Sequence, residues 1–481
     1  MKKKLSAIVL ACMMSCLSLI GLVGCGGRGG KQIKDFVMPE NGFDTTKPVE
    51  ITFYHTMGAD LRKVLQDYIA AFNELYPNVK VVEDQIGKYE DVRDQIQTEI
   101  NAKKQPDLAY CYPDHVALFN QANAVLPLNG FLPEIEGLEG YAGIGEYKDV
   151  TVTRADGKTE PIGFTQEQVN SFIPGYFMEG FQFGDESTMY TLPFSKSTEV
   201  LYYNKTFFEE HEIKVPTTWD EMETACAKIK ALVPSCTPLG YDSEANWFIT
   251  MCEQYGSPYT SSNGDHFLFD NQTNRDFVAK FQGWYNQGYF ITQSINKNYT
   301  SNLFKAQTSY MCIGSSAGAK NQSPGRVDGE YPFEVGITSI PQVNPENPKV
   351  ISQGPSICIF KQDDPQRVLA SWLLAKYLTT SIGFQAQFST VSGYVPVITT
   401  VMENPTYKNN IDNANGYDKV TSLAAKVCME QASAYYTSPA FVGSSTARDE
   451  VGNLMQAVFT KSKSIDDAFK DAVEECEYFV S

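Results

Sequence analysis

The sequence predicts an α/β protein of two lobes or domains, with parallel strands covered by helices. Three observations carry that expectation. The 481 residues are roughly three times a domain of ~150, so a divided core is the natural arrangement. Hydrophobic residues make up 42% and aromatic residues 12%, enough to bury a core and far above a solvating chain. Strand and helix periods alternate from Val49 onward.

Met1 to Lys4 is basic, Leu5 to Val23 is apolar, and the run ends at Leu22-Val23-Gly24-Cys25. This resembles a bacterial lipoprotein signal peptide, residues 1–24 being removed and Cys25 acylated. A plain membrane-spanning anchor is the alternative, since the run is almost long enough to span. Two acyl chains on one cysteine anchor without crossing. Residues 25–48, glycine-rich at their start, read as a flexible tether.

Val49 to Tyr54 alternates apolar and polar residues, as a half-buried strand does. Leu61, Val64, Leu65, Tyr68, Ile69, Phe72 and Leu75 then form a stripe of helical period that Pro77 stops. Val79 to Glu83 is a second strand, Asp91 to Lys103 a second helix, and Pro106 introduces the apolar stretch Asp107 to Tyr112. This βαβαβ order implies parallel strands with ligand loops at their carboxyl ends, beginning at His55, Gly87 and Pro113. Leu132 to Asp185 lacks sustained periodicity and reads as an elaboration of the first lobe.

Order returns at Met189 to Asn204. Thr218 and Glu221 have capping-box spacing ahead of Met222, Cys226, Ile229 and Leu232, marking a helix start. Further strands are expected at Thr308 to Ile313 and near Glu334 to Ile337, a helix after Asp364-Pro365, and a last helix from Ser464.

The formal charge is −18, and the first 24 residues carry three lysines and no acid, which leaves −21 on the remainder. Such a chain repels phosphate polyanions, so no nucleic-acid partner and no polybasic membrane surface are expected. Eight cysteines lie beyond Cys25, none in a C-x-x-C pair, and several fall at apolar helix or strand positions, so buried free thiols are favoured over disulfides. No phosphate loop, H-E-x-x-H or calcium loop occurs, and neither metal nor cofactor is expected. Gly314-Ser315-Ser316-Ala317-Gly318 fits the nucleophile-elbow pattern. All four histidines (His55, His115, His211, His266) precede Ser316, opposite to the hydrolase order, so the turn is better suited to hydrogen-bonding a polar ligand.

Phe53-Tyr54-His55-Thr56-Met57, Gly87-Lys88-Tyr89-Glu90, Pro106-Asp107, the run Leu192 to Lys205, Pro216-Thr217-Thr218-Trp219, Gly314-Ser315-Ser316 and Gly393-Tyr394-Val395-Pro396 occur in a telling order. In this the chain resembles the extracellular solute-binding proteins of ABC transporters, their sugar and glycerol-3-phosphate branch, over roughly Val49 to Ser481. The resemblance implies a type II periplasmic-binding-protein fold, each lobe a mainly parallel sheet flanked by helices with a ligand cleft between lobes, residues 49–198 with 353–405 forming one lobe and 199–352 with 406–481 the other. It implies a monomeric receptor that is no enzyme, binds a small carbohydrate, and delivers it to ABC permease subunits from the outer face of the cell membrane.

Set against the family motifs, the ligand-binding candidates are His55, Tyr89, Glu90, Asp114, Ser197, Trp247, Ser316, Gly354 and Tyr394. Glu90 and Asp114 would accept hydroxyl hydrogens while Trp247 and Tyr394 would stack on a sugar face. Solvated helix starts, a structural strand end for His55 and an ordinary core place for Trp247 remain the plain alternatives. Glycerol-3-phosphate binders of the family carry an Arg two residues before a Gly in the last third. Here Phe441 stands in that position of Phe441-Val442-Gly443, and Arg448 is out of register. A neutral mono- or oligosaccharide is therefore expected, Phe441 covering a sugar face, with glycerol-3-phosphate or a glycerophosphodiester the runner-up. A surface glycan hydrolase and a lipoprotein adhesin are the readings from other classes.

Overall fold

A computed structural model describes residues 33–184 and 186–480. The lipidation candidate Cys25 lies outside the described residues. β1 (Val49–His55), β2 (Val79–Gln85) and β3 (Leu108–Cys111) form the parallel core of a first sheet. The helix Ala59–Leu75 returns the chain from β1 to β2 and buries Val64, Leu65, Ile69 and Phe72, the stripe its spacing predicts. The helix Tyr89–Ala102 ends at Lys103 in the left-handed region (φ 56°), and the chain turns back into β3. After β4 (Thr151–Thr153) and β5 (Thr159–Pro161), which make a separate hairpin, β6 (Leu192–Pro193) closes the sheet edge.

The second sheet is built on β7 (Ser197–Asn204), paired with β10 (Met311–Ser315), β11 (Val335–Ser339) and β12 (Val350–Gln353); β8 (Leu239–Tyr241) and β9 (Phe290–Thr292) continue it beyond β10, and β14 (Tyr435–Tyr436) lies at the other edge. β13 (Ser356–Ile359) belongs to the first sheet, in the order β2-β1-β3-β13-β6. Both sheets are therefore mixed. β8, β9 and β10 run parallel, whereas β13 opposes β3 and β12 opposes β7. Strands that enter a sheet directly from the other lobe lack the crossover helix that would turn them parallel.

Two such passages lie side by side, residues 194–196 between β6 and β7 and residues 354–355 between β12 and β13. Gly354 has φ +96°, and a Cβ there would stand 2.5 Å from the Ser195 carbonyl oxygen, so this close approach requires glycine. Lys196, fully buried, pairs with Glu179 and donates to the Gly354 carbonyl (3.1 Å) and Ser356 Oγ (2.9 Å).

The elaboration in 132–184 packs onto the first lobe through the helix Pro365–Thr380. Trp372 Nε1 donates to the Ile162 carbonyl (2.7 Å), and Lys376 Nζ donates to those of Pro161 and Gly163 (2.7 Å each). Burial lowers the Lys376 ammonium to about 8. The expected start of the helix Trp219–Leu232 is present in half. Thr218 Oγ1 accepts from the Glu221 N–H (3.2 Å), but the Glu221 carboxylate takes the N–H of Thr217 (2.9 Å) instead of the cap residue's own. Each of the eight described cysteines is a buried free thiol. Among the described residues no helix is long and apolar enough to cross a membrane.

Candidate functional site

Between the two sheets lies a cleft in two compartments. The larger, about 630 Å³, is walled by Glu199, Asp242, Asn246 and Ser315 from the second lobe, by Ser197 where the chain crosses between lobes, and by Tyr112 and Tyr394 from the other side. The smaller, about 330 Å³, lies between Glu90, Arg93 and Asp114 on one side and Arg448 and Asp449 on the other. Tyr112 and Gln353 line both, so they form the waist. The arrangement follows from topology. Tyr112 follows β3, Ser315 ends β10 and Asp242 follows β8, all at carboxyl ends of strands, where an open sheet leaves a crevice.

Two carboxylates line the larger compartment, Glu199 buried and Asp242 half-buried. Glu199 accepts from Tyr241 Oη (2.6 Å) and Asn246 Nδ2 (2.9 Å), and burial pushes its carboxyl up to about 7 against those two hydrogen bonds. Asn246 Oδ1 in turn accepts from the Arg448 guanidinium, so one polar chain runs from Tyr241 to the smaller compartment. Asp242 is held by the Thr300 N–H (2.8 Å) and hydroxyl (2.7 Å), and burial raises its pKa. The walls thus offer fixed acceptors, amides and hydroxyls beside tyrosine rings, which suits a polyhydroxylated solute with apolar ring faces.

The sequence candidates divide. Ser197 and Tyr394 line the larger compartment, and Glu90, Asp114 and Gly354 the smaller. Tyr89 stands behind Tyr112, ring centroids 4.5 Å apart, and supports the waist without lining either compartment.

Four candidates are corrected. Trp247 is 0% exposed and stacks on Tyr241 (4.6 Å, 11° between planes) inside the second lobe, so no ligand reaches its face. Its helix presents Asn246 to the cleft and turns the next side chain, about 100° around, into the core. His55 is fully buried, with Nδ1 accepting from the Met57 N–H (3.1 Å) and Nε2 against Glu83 (2.7 Å); burial lowers its pKa. Ser316 points inward and accepts from the Thr198 N–H (3.2 Å), leaving Ser315, Ala317 and Gly318 of the same turn to line the cleft. Phe441 stacks on His266 (4.8 Å, 17°) and lies in neither wall.

Arg448 corrects the expectation in the other direction. Out of register by sequence, it is carried into the cleft near the start of the helix Ser444–Phe459. Sequence reasoning also missed Tyr112, Glu199, Asp242, Asn246 and Gln353. Three of them carried a usable signal, because Glu199 sits inside the motif run and Tyr112 and Asp242 follow strands.

The family described as bacterial extracellular solute-binding protein matches residues 67–415. The sn-glycerol-3-phosphate-binding periplasmic protein UgpB of Yersinia pestis bv. Antiqua (strain Antiqua) is 21% identical over 441 residues, spanning 88% of this chain and 91% of that one. The cyclic alpha-maltosyl-1,6-maltose binding protein of Arthrobacter globiformis superimposes with a TM-score of 0.68 at 16% identity, over 90% of this chain and 99% of that one. UgpB of Mycobacterium tuberculosis, solved with glycerophosphocholine, gives 0.67 at 14% identity over 90% and 98%. The two-lobed binding-protein fold is shared by all of these structures.

Proposed function

Since this chain belongs to the bacterial extracellular solute-binding protein family, we propose that it is the receptor of an ABC importer that holds a neutral carbohydrate between its lobes and passes it, unchanged, to membrane permease subunits. The observation that carries this reading is the larger compartment, where Glu199, Asp242 and Asn246 oppose Tyr112 and Tyr394. In-plane acceptors and amides with rings above them are what sugar hydroxyl edges and C–H faces require. On this reading the lobes are residues 49–198 with 353–405 and residues 199–352 with 406–481, a division that the membership of the two sheets supports. The receptor works as a monomer, tethered through acylated Cys25 on the extracytoplasmic face of the membrane, a role the Leu22-Val23-Gly24-Cys25 motif supports. Cys25→Ser is expected to move the protein from the detergent phase to the aqueous phase on partitioning, and an unchanged partition overturns the anchor.

Arg448 and Arg93 in the smaller compartment favour a second reading, glycerol-3-phosphate or a glycerophosphodiester. The carboxylates of Glu90, Asp114 and Asp449 share those walls and would leave a dianion poorly compensated. The test is a thermal-shift and calorimetric panel of neutral sugars, glycerol-3-phosphate and glycerophosphocholine. A ligand at 100 times its Kd adds about 2.7 kcal/mol of stability, well above scatter. At least one neutral sugar is expected to shift the transition and be recovered intact. Stabilisation by glycerol-3-phosphate with no sugar competing overturns the carbohydrate reading, and recovery of cleaved sugar overturns the receptor role.

A further inference from the structure

The smaller compartment contains polar atoms that the protein itself leaves unanswered. His115 Nδ1, Tyr259 Oη and Ser352 Oγ all lack a hydrogen-bond partner, and all three residues line this one space. Each is more than nine-tenths buried, at 4%, 8% and 8% exposure. They arrive from three separate parts of the fold: the helix Pro113–Asn120, the loop after the helix Glu244–Tyr255, and β12. Buried polar groups are nearly always paired, so three orphans converging on one space mark a place for ligand groups.

The charges say which groups. Arg93 and Arg448 face the space from opposite lobes, but each already has a polar partner, Arg93 on Asp94 (2.8 Å) and Arg448 on Asn246. Glu90, Asp114 and Asp449 outnumber them in the same walls, while Glu179 is neutralised by Lys196. An anion would meet more carboxylates than guanidinium groups. Acceptors interleaved with phenol, hydroxyl and imidazole groups match vicinal hydroxyls, which both donate and accept. At the waist, the half-buried Tyr112 ring, backed by Tyr89, lies where the link between two sugar rings would pass.

We infer that the smaller compartment is a second saccharide subsite, and that the ligand is a neutral disaccharide or longer oligosaccharide lying across Tyr112, with His115, Tyr259 and Ser352 bonding its second ring. This rests on the carbohydrate reading of the larger compartment. The Arg448–Asn246–Glu199 chain joins the walls of the two subsites, so both rings are read by one connected set of side chains.

The test is calorimetry on the full chain with glucose, maltose and maltotriose, and with xylose, xylobiose and xylotriose. One oligomer is expected to bind at least about tenfold more tightly than its own monosaccharide, a usual yield of a few added net hydrogen bonds. Tyr259→Phe and Ser352→Ala should each weaken that oligomer about 3- to 10-fold and leave the monosaccharide unchanged, with the apo melting temperature reporting that each variant is folded. Equal affinity for monosaccharide and oligomer, or variants that leave oligomer affinity intact, overturns the subsite alone. Failure of all six sugars to bind overturns it too, and carries the carbohydrate reading with it only if the wider panel of neutral sugars is also silent. Tight glycerol-3-phosphate binding that is lost in Arg448→Ala assigns the space to a phosphate and overturns it as well.

Discussion

Replacing Trp247 by alanine is expected to lower the stability of the ligand-free protein by about 3–5 kcal/mol, the usual cost of removing a buried indole. The ring is enclosed by Tyr241, Phe281 (4.3 Å), Phe290 (4.9 Å) and Trp219 (5.9 Å), so truncation opens a cavity that four rigid rings cannot collapse to fill. Its Nε1 has no hydrogen-bond partner, so losing the indole also removes one unsatisfied donor, which places the expected cost below the top of the range. Ligand affinity should fall only modestly, through Tyr241, whose ring stacks on Trp247 while its hydroxyl holds Glu199. Denaturant unfolding of the apo protein with calorimetry on the same variant separates the two roles. An apo midpoint equal to wild type, combined with lost affinity, would return Trp247 to the ligand face.

Lys196→Met is expected to cost about 3–5 kcal/mol as well, because it leaves the Glu179 carboxylate buried without its counter-charge. The pair lies where the two inter-lobe passages run side by side, and Lys196 Nζ also ties the Gly354 carbonyl and Ser356 Oγ of the second passage. The double variant Lys196→Met with Glu179→Leu should recover most of the loss, since replacing a buried ion pair by apolar groups of similar volume is often neutral. Glu179 also lines the smaller compartment, so the double variant is expected to bind oligosaccharide more weakly than wild type even where its stability is restored. Unfolding curves for the two single variants and the double variant decide it. A single variant as stable as wild type would mean that water reaches Glu179 and the pair does not hold the passages together.

The strands and helices of the first lobe were legible because their signals are local. The stripe from Leu61 to Leu75 needs only helical spacing and Pro77 to be read, and the four residues buried on that helix all belong to it. The order of strand, helix and strand likewise dictated the parallel β2-β1-β3 core, since two parallel neighbours need a crossover between them. Resemblance to the family's motifs pointed to Ser197, Glu90, Asp114, Gly354 and Tyr394, and the fold brings all five to the cleft.

What depended on tertiary structure was the direction of single side chains and the meeting of distant ones. Asn246 and Trp247 are neighbours in sequence and fall in opposite environments, because one step along a helix turns the side chain by about 100° and only the packed lobe decides which face is core. Ser315 and Ser316 part in the same way at the turn after β10, one lining the cleft and the other bonding the Thr198 N–H. Arg448 reaches Asn246 across 202 residues of chain. No local spacing encodes such a contact, which exists only because the helix Ser444–Phe459 packs against the helix Glu244–Tyr255. By itself, the sequence determined the fold class, the family and the strand ends from which a cleft must be built. Tertiary packing alone decided which of the polar groups at those ends stay open to a solute and which are consumed in holding the lobes together, because burial and hydrogen bonding are properties of neighbours that the folded chain brings from hundreds of residues away.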